Sequence, residues 1–325
     1  MAYVRRHFQP GLNHYRVARL TGDASMRQYF RYTSDSQDSF VLAAYPEPFD
    51  PESFNYKQIY DVLTSIEVPV PRILDLEGDL GIVLQEDLGN VTLQEYLMTA
   101  APRQRRTRIR EAIDHIVQIQ RRGSRRVKPA YEVASLAFDQ EKMDWELAFF
   151  RRHYLRNYRQ FGERNFSGLE EECGRVASEL SALPRVLCHR DYHVRNLMLF
   201  RDRLHVIDFQ DARWGPASYD LASLLKDSCE LSAAEVDEYL DYFMKSAELE
   251  QSVDEFRRQF HLMVVQRLLK ALGTFGYQVF VLENFIYEQY MPGSLHRALL
   301  SLDFLGGFPV IQRLVESELA GGVGA

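Results

Sequence analysis

Two runs of residues constrain this chain more than any other feature: Val186-Leu-Cys-His-Arg-Asp-Tyr-His-Val-Arg-Asn-Leu-Met-Leu199 and, a few positions on, Leu204-His-Val-Ile-Asp-Phe-Gln210. Both read as apolar strands, so Asp191, Asn196 and Asp208 fall at strand ends and in the loop between. An isolated Asp after a strand is ordinarily a turn residue or a helix cap. Three polar groups at these spacings suit a definite chemistry. One carboxylate holds an acceptor hydroxyl and takes its proton, while an amide oxygen and a second carboxylate are hard ligands for Mg²⁺ on a polyphosphate. Asp191 takes the first role in this reading, and Asn196 and Asp208 take the second.

The rest of the composition narrows the field by exclusion. The 325 residues suffice for a full core and suggest two lobes. A net charge of -7 argues against nucleic acid as the main partner, because phosphate backbones call for a basic surface. Basic clusters at Arg103 to Arg110 and Arg121 to Lys128 read as a solvated helix face and the loop after it. Cys173, Cys188 and Cys229 share no metal-ligand spacing and suit a reducing compartment. The start of the chain lacks an apolar signal core, and no apolar run is long enough to span a bilayer. The expectation is a cytoplasmic protein with no membrane partner.

Along the chain, Tyr15 to Tyr45 reads as strands and turns, with Tyr29-Phe-Arg-Tyr32 and Ser39-Phe-Val-Leu-Ala-Ala44 as strands. Phe54 to Ile66 has helical spacing, Val68 to Leu74 is held extended by its prolines, and Gly81 to Gln85 is a buried strand. Helices are predicted from Thr92 to Thr99, Arg103 to Arg121, Asp139 to Tyr158 and Leu169 to Leu183. After the motif strands they resume from Tyr219 to Cys229, Ala233 to Leu249 and Val253 to Gly273, the second opened by a Ser232/Glu235 capping box. The result is a bilobal α+β protein. Residues 1–86 form a small strand-rich lobe that binds nucleotide, and 87–325 form a helical lobe with the acceptor site.

Further candidates follow from position. Gly22, Ala24 and Ser25 lie in a turn whose backbone N–H groups suit phosphate oxygens, with Arg27 and Arg31 as nearby cations. The connector Glu86-Asp-Leu-Gly89 offers backbone groups to an adenine, chiefly at Glu86 and Leu88. His189 is expected as a buried histidine bonded to loop backbone, and Asp220 as a carboxylate in a helix's first turn, favoured there by the dipole, which in kinase-like folds also bonds the loop backbone. Arg195, Gln210, Asp211 and Arg213 are acceptor contacts by proximity.

These motifs resemble the aminoglycoside phosphotransferase and choline kinase superfamily, a branch of the protein-kinase-like fold, over nearly the whole chain. Gly22-Asp-Ala-Ser25, Val68-Pro-Val-Pro-Arg72, His189 to Met198, Ile207-Asp-Phe-Gln-Asp-Ala212 and Gln266 to Gly273 are more particularly similar to the cytoplasmic kinases of cell-wall recycling. Those enzymes phosphorylate the anomeric hydroxyl of N-acetylmuramic acid and N-acetylglucosamine. The resemblance implies ATP and Mg²⁺ as cofactors, Asp191 as base, Asn196 and Asp208 as metal ligands, and an amino sugar as partner. Alternatives are another acceptor (an aminoglycoside, choline or an amino-acid alcohol) or a pseudokinase that only binds nucleotide.

The chain departs from the pattern in two places. Kinases carry a phosphate-gripping lysine on the third strand, but the strand Phe40-Val-Leu-Ala-Ala44 has none, so Arg27 or Arg31 is expected to substitute. The segment Tyr277 to Tyr290 matches no part of the pattern.

Overall fold

The computed structural model describes residues 15–20, 27–34, 38–162, 167–227 and 231–321. Gly22, Ala24, Ser25 and Cys229 lie outside the described residues.

Alternation with period two builds the first layer. In β2 (Gln28–Ser34) and β3 (Ser39–Ala44), Tyr29, Arg31, Val41 and Ala43 point to a cleft. Phe30, Tyr32, Phe40 and Leu42 form a small apolar cluster on the opposite face. With β1 (Tyr15–Leu20), β4 (Ile73–Glu77) and β5 (Ile82–Glu86) they make a five-stranded antiparallel sheet in the order β1-β2-β3-β5-β4. Helix α1 (Asn55–Ser65) buries Ile59, Val62 and Leu63.

Beyond β5 the chain is mainly helical: α2 (Leu93–Thr99), α3 (Pro102–Arg121), α4 (Gln140–Phe150), α5 (Leu169–Ser181), α6 (Ser218–Ala222), α7 (Ala233–Ala247), α8 (Val253–Phe280), α9 (Met291–Leu305) and α10 (Pro309–Gly321). The expected box caps α7, with the Glu235 N–H donating to Ser232 Oγ and the Ser232 N–H to Glu235. After Phe150 the α4 helix widens its turn through Tyr158. The basic residues of α3 are held in ion pairs rather than left as a binding surface: Arg110 reaches Glu238 of α7 at 2.9 Å, and Arg121 reaches Glu248 at 2.6 Å.

Helix α8 does not stop at Gly273 as its sequence suggests. It continues to Phe280 because Gly273 and Gly276 are contact points rather than terminators. A Cβ on Gly273 would lie 2.7 Å from Phe150 Cα, and one on Gly276 would lie 2.6 Å from His153 O. The two glycines let α8 and the end of α4 touch backbone to backbone.

Four short strands carry the motifs. β6 (Arg185–Cys188) pairs with β9 (Arg213–Pro216), and β7 (Leu197–Phe200) pairs with β8 (Arg203–Val206). The Val206 N–H donates to Pro69 O at 2.8 Å, so the second hairpin is bonded to the extended segment that enters the sheet. Among the described residues, no helix is long and apolar enough to cross a membrane.

Candidate active site

Asp191 sits in a loop clamped from two directions. As the chain leaves β6, the N–H groups of His189 and Arg190 donate to the two Asp220 oxygens at 2.7 and 3.0 Å. Burial raises the Asp220 pKa, and the His189 charge and these two N–H bonds oppose it. From α8, Arg267 donates to Arg190 O at 3.0 Å and to Ser223 Oγ at 2.8 Å, with its guanidinium over the Tyr219 ring. Arg190 itself adopts φ +84, a left-handed conformation that a non-glycine residue holds only under such constraint.

The same bonds tie the three motif residues together. Asn196 Nδ2 donates to Asp191 O at 2.9 Å, the Ile207 N–H donates to Asn196 O at 3.0 Å, and His189 Nε2 donates to Ile207 O at 3.0 Å. His189 is only 2% exposed, so its work is to join the two loops. Immediately after Ile207, Asp208 takes φ +62 and turns the chain out of the extended conformation. Its Oδ1 accepts from Arg27 Nη2 and Gln210 Nε2, both at 3.0 Å.

Asn196 and Asp208 line a cleft of about 530 Å³ between the small sheet and the motif hairpins. Its walls are largely apolar, from Leu20, Val41, Ala43, Leu88 and Met198. Ala43 of β3 and the guanidinium-bearing Arg27 both line this cleft. Burial would lower the Arg27 pKa, but Tyr29, Asp208 and Tyr45 outweigh it and raise it. Helix α1 presents Tyr56, which donates to Gln85 Oε1 at 2.8 Å and stacks on Phe209. Among the described residues no group of three or more His, Cys, Asp or Glu side chains could hold a metal alone. Asn196 and Asp208 both line the cleft, and an amide oxygen and a carboxylate are oxygen donors of the kind that would suit Mg²⁺.

The connector is fixed by a residue assigned to phosphate from the sequence. Arg31 grips Asp87 with Nε at 2.7 Å and Nη2 at 2.9 Å, and Nη2 also donates to Gly89 O at 2.7 Å. Gly89 bends the chain with φ +78. The side chain of Glu86 faces Arg72, and its N–H donates to Arg72 O at 2.9 Å. Glu86 and Leu88 both line the cleft.

The proposed acceptor contacts divide. Arg195 and Gln210 line the cleft, whereas Asp211 and Arg213 are outside its lining and Asp211 pairs with Arg190. Arg190 spans these carboxylates, with Nε 3.8 Å from Asp191 and Nη1 3.2 Å from Asp211. Burial would push the Asp191 pKa up, but Lys270, Arg190, Arg267 and His193 outweigh it and hold it at about 2. Sequence reading missed Arg190, Lys270 and the buried pair Glu146 and Gln266, which are joined at 2.8 Å. A signal was available in Gln266, Arg267 and Lys270, polar residues set within an otherwise apolar helix.

The family model described as the phosphotransferase enzyme family matches residues 16–256, and the chain belongs to that family. Its relatives include the N-acetylmuramate/N-acetylglucosamine kinase of Neisseria meningitidis, 34% identical over 78% of this chain and 76% of that protein. The enzyme of the same name from Pseudomonas aeruginosa is 34% identical over 79% of this chain and 75% of its own length. The fold also matches the ethanolamine kinase of Plasmodium vivax, with a TM-score of 0.63, 14% identity, and coverage of 88% of this chain and 83% of that one.

Proposed function

We propose that this chain transfers the γ-phosphoryl group of ATP to the anomeric hydroxyl of an amino sugar, N-acetylmuramic acid or N-acetylglucosamine. The observation that carries the reading is the bonded frame that joins Asp191 to Asn196 and Asp208, the latter two lining the cleft. The names of the relatives support the amino-sugar acceptor.

In this reading adenine lies between the apolar walls and the connector, with Leu88 backbone as its partner. Arg27 reaches the phosphates from the small lobe. Bound Mg²⁺, held by Asn196 and Asp208, supplies charge neutralisation on the phosphate oxygens. Asp191 accepts a hydrogen bond from the acceptor hydroxyl and aims its oxygen at the γ-phosphorus. As the new P–O bond forms, the bond to the ADP oxygen breaks, and the hydroxyl proton passes to Asp191 late in the step. A carboxylate held at about 2 is a weak base, so orientation is its larger contribution. A hemiacetal hydroxyl, more acidic than an ordinary alcohol, asks less of such a base.

³¹P NMR of the product from either sugar with Mg-ATP tests the proposal. A sugar 1-phosphate resonance is expected. A 6-phosphate would overturn the anomeric assignment, and tight Mg-ATP binding without product from any acceptor would favour the pseudokinase.

A further inference from the structure

Beyond the cleft, three cations drawn from three separate elements lie near one another, and one of them, Lys270, acts on Asp191. Arg213 opens β9 and lies directly opposite Cys188 in the β6 pairing, one residue before the catalytic loop. The segment leading into α4 is bonded to the same strand, since the Phe138 N–H donates to Trp214 O at 2.7 Å. That bond brings Lys142, in the first turns of α4, to the Arg213 side of the loop. Lys270 comes from α8, which packs along α4 through its glycine contacts.

Cations here exceed the anions available to pair with them. Arg190 is held between Asp191 and Asp211. Glu146, only 1% exposed, takes a 2.8 Å bond from Gln266 and lies 4.0 Å from Lys142 Nζ. Arg213 and Lys270 make no ion pair among the described residues, and Arg213 Nε is buried with no hydrogen-bond partner. Arg213 lies over the Phe138 ring instead. Burial lowers the Arg213 pKa and the Arg190 charge lowers it further. Burial also lowers the Lys142 pKa, with Glu146 opposing and Arg213, Arg190 and Lys270 adding to the effect. At Arg213, Glu146 and Asp211 oppose the lowering only at a distance, and a partly buried guanidinium without a bonded anion is costly unless one arrives to meet it. In a chain whose net charge is -7, this local excess is a specific construction.

We infer that Arg213, with Lys142 and Lys270 around it, binds a carboxylate on the acceptor, so that the chain selects an acidic amino sugar over a neutral one. The inference rests on the amino-sugar kinase reading and adds the group that is recognised. Phosphate oxygens share the chemistry of a carboxylate, but Arg213, Lys142 and Lys270 do not line the nucleotide cleft, where Arg27, Asn196 and Asp208 stand.

The test compares three acceptors at saturating Mg-ATP: N-acetylmuramic acid, its neutral carboxamide, and N-acetylglucosamine. With the unaltered protein, KM for the acid is expected to be at least about tenfold below KM for the carboxamide, the range for one charge-assisted contact. Arg213→Gln should remove most of that difference, and Lys142→Met should reduce it. Equal KM for acid and carboxamide in the unaltered protein would overturn the inference without any variant having to fold. So would an Arg213→Gln protein whose KM rises alike for all three sugars. A common fall in kcat at constant acceptor KM would assign these cations to the phosphoryl group and overturn it too. Absence of transfer to all three sugars is a different failure, one that sinks the amino-sugar reading and this inference with it.

Discussion

Asp191 stands between two half-sites built on opposite plans. On the nucleotide side, polar groups already hold one another: Arg31 is fixed on Asp87, Arg27 on Asp208, and Tyr56 on Gln85. The walls between them are apolar, and shape with backbone contacts suffices for a flat aromatic base. On the acceptor side, charged groups from β9, α4 and α8 converge with cations left over. One half-site is preorganised for a ligand common to the whole family. The other is electrostatically incomplete, as a site is when its ligand must bring the missing charge. In the proposed reading, specificity resides in the second half-site and turnover in the residues between them.

Removing the residue between them should have the largest effect. Asp191→Ala is expected to lower kcat by roughly 10³- to 10⁵-fold with any acceptor, because positioning and proton acceptance are lost together. Steady-state kinetics at saturating ATP and sugar measures it. Near-normal turnover would show that neither half-site is organised around Asp191.

The two arginines of the nucleotide side offer a finer division. Arg27→Ala should lower kcat/KM for ATP by about 10- to 100-fold, the size of a charged contact to phosphate, with little change in Tm. Arg31→Ala should act mainly on stability. It leaves the Asp87 side chain, 5% exposed, with only the Gly89 N–H at 2.9 Å, and about 1–3 kcal/mol is the usual cost of stripping a buried carboxylate of its charged partner. Thermal denaturation beside ATP kinetics separates the two. If both variants kept wild-type values for ATP, the replacement of the absent strand lysine by an arginine would be wrong.

The contrast also explains what could be read without coordinates. The catalytic loop was legible because its residues lie within twenty positions of one another and each chemical role requires a particular side chain. The Arg27–Asp208 pair joins residues far apart in sequence, yet the missing lysine on β3 pointed to it. Arg31 lines the cleft and also grips Asp87, a second partner that sequence alone could not show. Gln210 and Arg195 were placed with the acceptor by closeness in sequence, but the loop's turns send them to the nucleotide cleft. Asp211 and Arg213 were named for the acceptor from the sequence, but the lysines beside Arg213 were not, for a topological reason. Lys142, Arg213 and Lys270 meet only through the pairing of β9 and the close packing of α8 on α4, and Gly273 looks like a helix end until it is seen as a contact.

The smallest predicted effect is an absence. Asp191 is held at about 2, below the ordinary carboxylate value of 3.8, because Lys270, Arg190, Arg267 and His193 outweigh the burial that would raise it. A depressed folded-state value means that its ionised form contributes stability fully above about pH 4, and that this contribution is lost as pH falls toward 2. Across the working range, then, Asp191 does not titrate. The kcat/KM profile should show no inflection from it between pH 5 and 8, on the scale where a free-enzyme base would appear. In denaturation experiments, the stability difference between the unaltered protein and Asp191→Asn should stay constant from pH 8 to about 5 and shrink only in stronger acid. The acceptor-side charges cause the depression, so Lys270→Met should move the acid limb upward, toward the ordinary value. An inflection near pH 6 in the unaltered enzyme, assigned to Asp191 by its disappearance in the Asn variant, would mean that the two half-sites are not electrostatically coupled through this carboxylate.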